Sequence, residues 1–81
     1  MTIFKLADKR FKKLGYTKTK EKRDYVLYEK PGREHGYNVE LTIIRDTDGE
    51  VRLFCMEGSK VASLNNKAID AAYRKIKELG W

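Results

Sequence analysis

One histidine, one cysteine and a run of acids are the side chains of this sequence with obvious chemical potential. His35 sits in the loop Gly32-Arg33-Glu34-His35-Gly36. An imidazole there could move a proton near neutral pH. No second histidine exists, and no nucleophile stands at a recognisable spacing, so neither a catalytic triad nor a zinc site is supported. A lone loop histidine is more often a solvated residue or a turn hydrogen-bonder. Cys55 alternates onto the core side of its strand, where a thiol is an inert small hydrophobe. Asp46-Thr47-Asp48-Gly49-Glu50 has the flavour of a calcium loop without its twelve-residue ligand pattern, and turn chemistry explains it. No glycine-rich phosphate cradle is present. No acid lies in an apolar setting that would raise its pKa for acid catalysis. These absences point away from an enzyme, and no cofactor, metal or small-molecule substrate is expected.

Binding is the better-supported chemistry. The net charge of +6 is uneven: residues 1–24 hold nine Lys/Arg against three acids, 25–58 four against seven, and 59–81 five against two. Both ends are therefore basic and the middle is mildly acidic. Lys9, Arg10, Lys12, Lys13, Lys18, Lys20, Lys22 and Arg23 form a basic strip. Such a strip attracts phosphates or acidic protein surfaces over a Debye length of about 10 Å. It also serves as an ordinary solvated face that keeps a small protein soluble.

The elements that position these residues follow from periodicity. From Thr2 to Leu14, Ile3, Phe4, Ala7, Phe11 and Leu14 recur at helical spacing, with Thr2 as N-cap. Gly15 supplies the left-handed residue at the helix end, and Tyr16 folds back on the last turn. The polar stretch TKTKEKR, 17–23, reads as a connection. Tyr25-Val26-Leu27-Tyr28 marks a first strand at about 24–30, stopped by Pro31-Gly32. Residues 37–45 alternate, with Val39, Leu41 and Ile43 on one side. After the hairpin turn at Asp46–Gly49, residues 50–57 alternate again, with Val51, Leu53 and Cys55 toward the core. Ser63 is the expected cap of a last helix, 64–79, whose stripe is Leu64, Ala68, Ala71, Ala72, Ile76 and Leu79. Gly80 ends it and Trp81 packs back on Ile76 or the sheet, completing the cap. KKLGY and KELGW thus share the physics of a helix end.

The expected fold class is α+β, in the order α-β-β-β-α, a three-stranded antiparallel sheet with both helices packed on one face. On that layout Ile44, Arg52, Phe54 and Met56 point to the uncovered side of the sheet, with one of Tyr25 or Tyr28. Such a face suits a protein partner or a second copy of the chain, unless Trp81 or a terminal segment covers it.

Phe11-Lys12-Lys13-Leu14-Gly15-Tyr16, Tyr28-Glu29-Lys30, Asn66-Lys67-Ala68-Ile69 and Lys77-Glu78-Leu79-Gly80-Trp81 resemble a loose group of small phage and prophage proteins of low-GC Gram-positive bacteria. That resemblance implies a non-enzymatic accessory protein that binds a macromolecule, with a host protein among the candidates. The α-β-β-β-α order is similar to that of the double-stranded-RNA-binding domain, and Gly32-Arg33-Glu34-His35 keeps the glycine and histidine spacing of that family's loop. Gly58-Ser59-Lys60 and Lys67-Ala68 look similar to its last-helix entry. This second resemblance implies phosphate or sugar contacts from Lys9, Arg10, Lys13, His35, Lys60 and Lys67. Arg33 stands where the family has proline, and Asn65-Asn66 where a lysine pair would grip phosphates.

Eighty-one residues make one domain, 1–81, that buries roughly 60% of its unfolded surface. No apolar run reaches the roughly 18 residues of a membrane span, and Met1-Thr2-Ile3-Phe4-Lys5 lacks the apolar core of a signal peptide. With a single cysteine, a reducing, cytoplasmic setting is expected.

Overall fold

The structure is a computed structural model that describes residues 6–32 and 36–81. The expected cap Thr2, with Ile3 and Phe4, lies outside the described residues, as does His35. Two helices flank five strands: α1 (Leu6–Lys13), β1 (Thr17–Glu21), β2 (Tyr25–Pro31), β3 (Asn38–Arg45), β4 (Val51–Glu57), β5 (Lys60–Val61) and α2 (Asn66–Leu79). The strands form one antiparallel meander in chain order.

The α+β class and the antiparallel sheet match expectation, but the sheet has five strands rather than three. The stretch expected as a connection supplies β1. All five of its residues are exposed, so an edge strand is formed there with no apolar signal to announce it. Its backbone pairs with β2, Thr17 opposite Glu29 and Glu21 opposite Val26, with a register shift between Lys18 and Lys20. Charged side chains and a bulge are what keep such an edge from pairing with another chain. At the other edge, β5 pairs only with Met56 and Glu57 of β4, too short a run for periodicity to reveal.

Both helix ends carry the anticipated caps. Gly15 and Gly80 take φ of 92° and 74°, values a side chain would strain. Tyr16 N–H donates to the Phe11 carbonyl at 2.9 Å, and Trp81 N–H to that of Ile76 at 3.2 Å. The start of α2 is a correction. Its N-cap is Asn65, whose Oδ1 accepts from Ala68 N–H at 2.8 Å, and Ser63 lies two residues before that cap. An asparagine carbonyl reaches the third helical N–H as well as a serine hydroxyl does, and the chain uses the later of the two.

The core lies between the helices and one face of the sheet. Phe11 stacks on Tyr28, ring centroids 3.9 Å apart, and meets Tyr16 edge-on at 5.7 Å. Val26, Leu41, Ile43 and Cys55 join them from the strands, and Ala68, Ala71 and Ala72 from α2. The helices run antiparallel: Leu6 lies beside Tyr73, Arg74 and Glu78, while Lys13 and Leu14 lie beside Asn66 and Lys67. Ala7 N–H donates to Glu78 Oε2 at 2.8 Å, so a carboxylate from the end of α2 serves the first turn of α1.

One charge lies inside this arrangement. Lys75, on the buried stripe of α2, is 3% exposed. Its ammonium lies 3.3 Å from Asp8 Oδ1 on α1 and 3.1 Å from Glu21 Oε1 on β1. Lys18 closes the cluster at 3.0 Å from Asp8 and 2.9 Å from Glu21, and the Tyr28 hydroxyl donates to Asp8 at 2.5 Å. Deleting one member of a buried ion cluster strands its partners. Lys75→Ala is therefore expected to lower unfolding stability by about 2–4 kcal/mol, the carboxylates being partly solvated. Urea unfolding checks this as a lower midpoint at unchanged slope; a loss under 0.5 kcal/mol, roughly a surface value, would contradict it.

Candidate nucleic-acid interface and the opposite sheet face

The α1 residues that point away from the core on the α2 side are Lys9, Arg10 and Lys13. Successive positions in a helix turn by about 100°, so these three share a flank while Ala7 and Phe11 face inward. On α2 the same flank carries Asn66, Lys67 and Asp70. Between them runs a groove of about 660 Å³, with Leu6 and Leu14 in its lining. Four of the six residues anticipated as phosphate contacts, Lys9, Arg10, Lys13 and Lys67, thus gather around one groove. Lys60 does not line it: it lies on β5, at the edge of the sheet.

The electrostatics of the groove are lopsided. Arg10 approaches Asp70 at 3.6 Å, and Arg74 holds the same carboxylate at 3.1 Å. Lys9, Lys13 and Lys67 form no ion pair among the described residues. The first turn of α2 contains no acid, so its unpaired N–H groups add positive potential at the same end. A second hollow continues the groove past Leu6 and Asp70 to Tyr73, Arg74 and Lys77. Arg74 and Lys77 are functional candidates the sequence reading missed. The spacing 67, 70, 74, 77 is one helical flank and was the signal for them.

The far side of the sheet is uncovered by either helix. Ile44 stands opposite Arg52, Thr42 opposite Phe54, and Glu40 opposite Met56, so all four anticipated residues share that face. Phe54 is 47% exposed and Val61, beside Met56, is 84% exposed. Arg52 is tied by its guanidinium to Asp46 and Glu50. Of the two tyrosines weighed for this face, Tyr25 belongs to it, opposite Ile44, and Tyr28 is buried. Trp81 packs against the core on the helix side, beneath the Arg45 guanidinium at 5.6 Å, and does not cover the outer face.

Neither the ion cluster nor Cys55 offers catalytic groups. Burial would raise the Asp8 carboxyl, but hydrogen bonds from Tyr28 and Lys18 and the Lys75 charge outweigh it and hold the group below 3.8. Hydrogen bonds from Lys18 and Lys75 likewise hold Glu21 below 4.5, and the Glu21 hydrogen bond raises Lys18. These shifts fix ion pairs in place; none brings a group toward neutrality, where proton transfer works best. Burial pushes the Cys55 thiol up, and the Tyr16 hydroxyl beside it up to about 12. The Asp46–Glu50 turn closes on itself, with Gly49 N–H on the Asp46 carbonyl and Glu50 N–H on Asp48 Oδ1, both at 2.9 Å. Among the described residues no three His, Cys, Asp or Glu side chains gather as a metal would require, and no helix is long and apolar enough to cross a membrane.

The chain matches no protein-family model, no curated protein and no solved structure.

The depressed carboxyls set a pH dependence. Their contribution is complete above the unfolded values of 3.8 and 4.5 and is lost as pH falls through the lower folded values. Stability is therefore expected to fall from about pH 4.5 downward, more shallowly in Asp8→Asn. Urea midpoints across that range check it, and parallel curves for the two proteins would contradict it.

Proposed function

We propose that this chain is a non-enzymatic accessory protein of the phage or prophage kind that acts by binding a macromolecule, and that its basic helical flank engages a nucleic acid. The observation that carries this reading is the groove: Lys9, Arg10 and Lys13 from one helix and Lys67 from another line it together, with Arg74 and Lys77 along its continuation. Cations from two antiparallel helices make a track rather than a point. From Lys67 to Lys77, α2 rises about 15 Å, a length that spans several backbone phosphates. The groove's own lining holds no aromatic side chain, and Tyr73 is the aromatic along its continuation, so the contact is chiefly with phosphate and sugar.

A second reading, a protein partner on the outer sheet face at Ile44, Arg52, Phe54 and Met56, is favoured by a separate observation. Trp81, one of the segments able to hide that face, packs on the other side. The two readings use opposite sides of one sheet and do not compete for residues.

Fluorescence anisotropy of labelled duplex RNA, duplex DNA and single strands tests the first reading. On a duplex, each neutralised phosphate contributes a slope of roughly −0.9 in log K against log salt. Three to five contacts give about −2.7 to −4.5, and Lys13→Glu or Lys67→Glu is expected to weaken binding and reduce that slope by about one. No binding at low salt, or binding indifferent to both charge reversals, would overturn the reading.

A further inference from the structure

The outer sheet face carries a feature that the fold itself does not explain. Glu29 on β2 stands directly opposite Glu40 on β3. Both side chains lie on the outer face, in the row that continues through Met56 to Val61. Directly opposed residues on one face have Cβ atoms about 5 Å apart, and like charges there destabilise the pair. Several other acids are paired: Asp8 and Glu21 meet two lysines, Asp70 two arginines, and Asp46 an arginine, while Asp24, Asp48 and Glu78 form no ion pair among the described residues. Glu29 and Glu40 form no ion pair or side-chain hydrogen bond among the described residues. They adjoin Leu27, Phe54, Met56 and Val61, the apolar part of the same face.

We infer that this face docks a protein segment presenting an arginine or lysine beside an apolar side chain. The inference rests on the reading of the outer face as a protein-binding surface and names the chemistry of its partner. The cation sits between Glu29 and Glu40, where it removes their repulsion and gains charge-assisted hydrogen bonds. The apolar side chain, one strand spacing or about 5 Å farther on, covers Met56, Phe54 and Val61. The six cations of the helical flank do not forbid a basic partner. They lie across the sheet, a layer about 10 Å thick, and the Debye length at physiological salt is about 8 Å.

The test uses two synthetic peptides of equal length and equal leucine and valine content, one carrying arginines and the other glutamates. Each is titrated into isotope-labelled protein while amide resonances are followed. The arginine peptide is expected to shift Leu27, Thr42, Phe54 and Met56, and the glutamate peptide to leave them in place. In the double variant Glu29→Gln, Glu40→Gln the arginine peptide is expected to bind about tenfold more weakly. That variant's melting temperature should be unchanged or higher, since a repulsion is gone, which separates lost binding from lost folding. Equal shifts from both peptides, or full affinity in the variant, would overturn the charge chemistry and leave the apolar surface standing. No shift on the sheet from either peptide would overturn both.

Discussion

Among the described residues Lys75 is the charged residue that is buried, and the placement of both helices and the first strand turns on its ammonium. It sits among alanines on the stripe of α2 that faces the sheet. Taking a lysine out of water is unfavourable unless its charge and donors are met. Here they are met by Asp8 from α1 and Glu21 from β1. Two successive elements, α1 and β1, are thereby held at one point with α2 from the far end of the sequence. An apolar residue would satisfy the core as well or better, but it would not tie the exposed β1 to the helices. Glu78, one turn farther along α2, accepts from the first turn of α1 and sets the antiparallel placement that opens the groove.

From that placement follows a molecule with two unlike sides. The helical side is basic, with Asp70 neutralising two of its arginines and leaving Lys9, Lys13 and Lys67 to solvent. The side of the sheet away from the helices carries the exposed Phe54 and Val61 and the opposed acids Glu29 and Glu40, with Lys20 and Arg52 on the same face. The sheet between them separates the two by more than a screening length at physiological salt. On the proposed reading, the two sides would meet a polyanion and a protein independently, without one surface weakening the other.

Much of this was legible in the sequence because local physics decides it. KKLGY and KELGW announce their helix ends through a glycine that must take positive φ and an aromatic that returns to the core. The alternation of β3 and β4 placed Ile44, Phe54 and Met56 on the outer face before any coordinates. What was hidden was decided by tertiary contacts. The β1 strand has no buried residue, so no hydrophobic period marks it, and Thr17 and Thr19 are its only β-branched signal. Its reasons for existing are a ladder with β2 and ion pairs to residues on other elements. Lys75 is not in the stripe read from the sequence, although its spacing from Ala71, Ala72 and Leu79 puts it there. Asn65 displaced Ser63 as the cap because two good capping residues stand two positions apart and only the packed chain chooses between them. The groove was half legible: its cations were visible as a strip, but their convergence with Arg74 and Lys77 required the antiparallel packing of the helices.

The most direct test of the central claim is where a nucleic acid touches the protein. Amide resonances of the isotope-labelled chain would be followed during titration with a short RNA duplex at low and at moderate salt. The account predicts shifts concentrated at Lys9, Arg10, Lys13, Asn66 and Lys67, extending toward Arg74, and diminishing as salt rises. Shifts centred instead on Thr42, Phe54 and Met56, or no shifts at low salt, would contradict it.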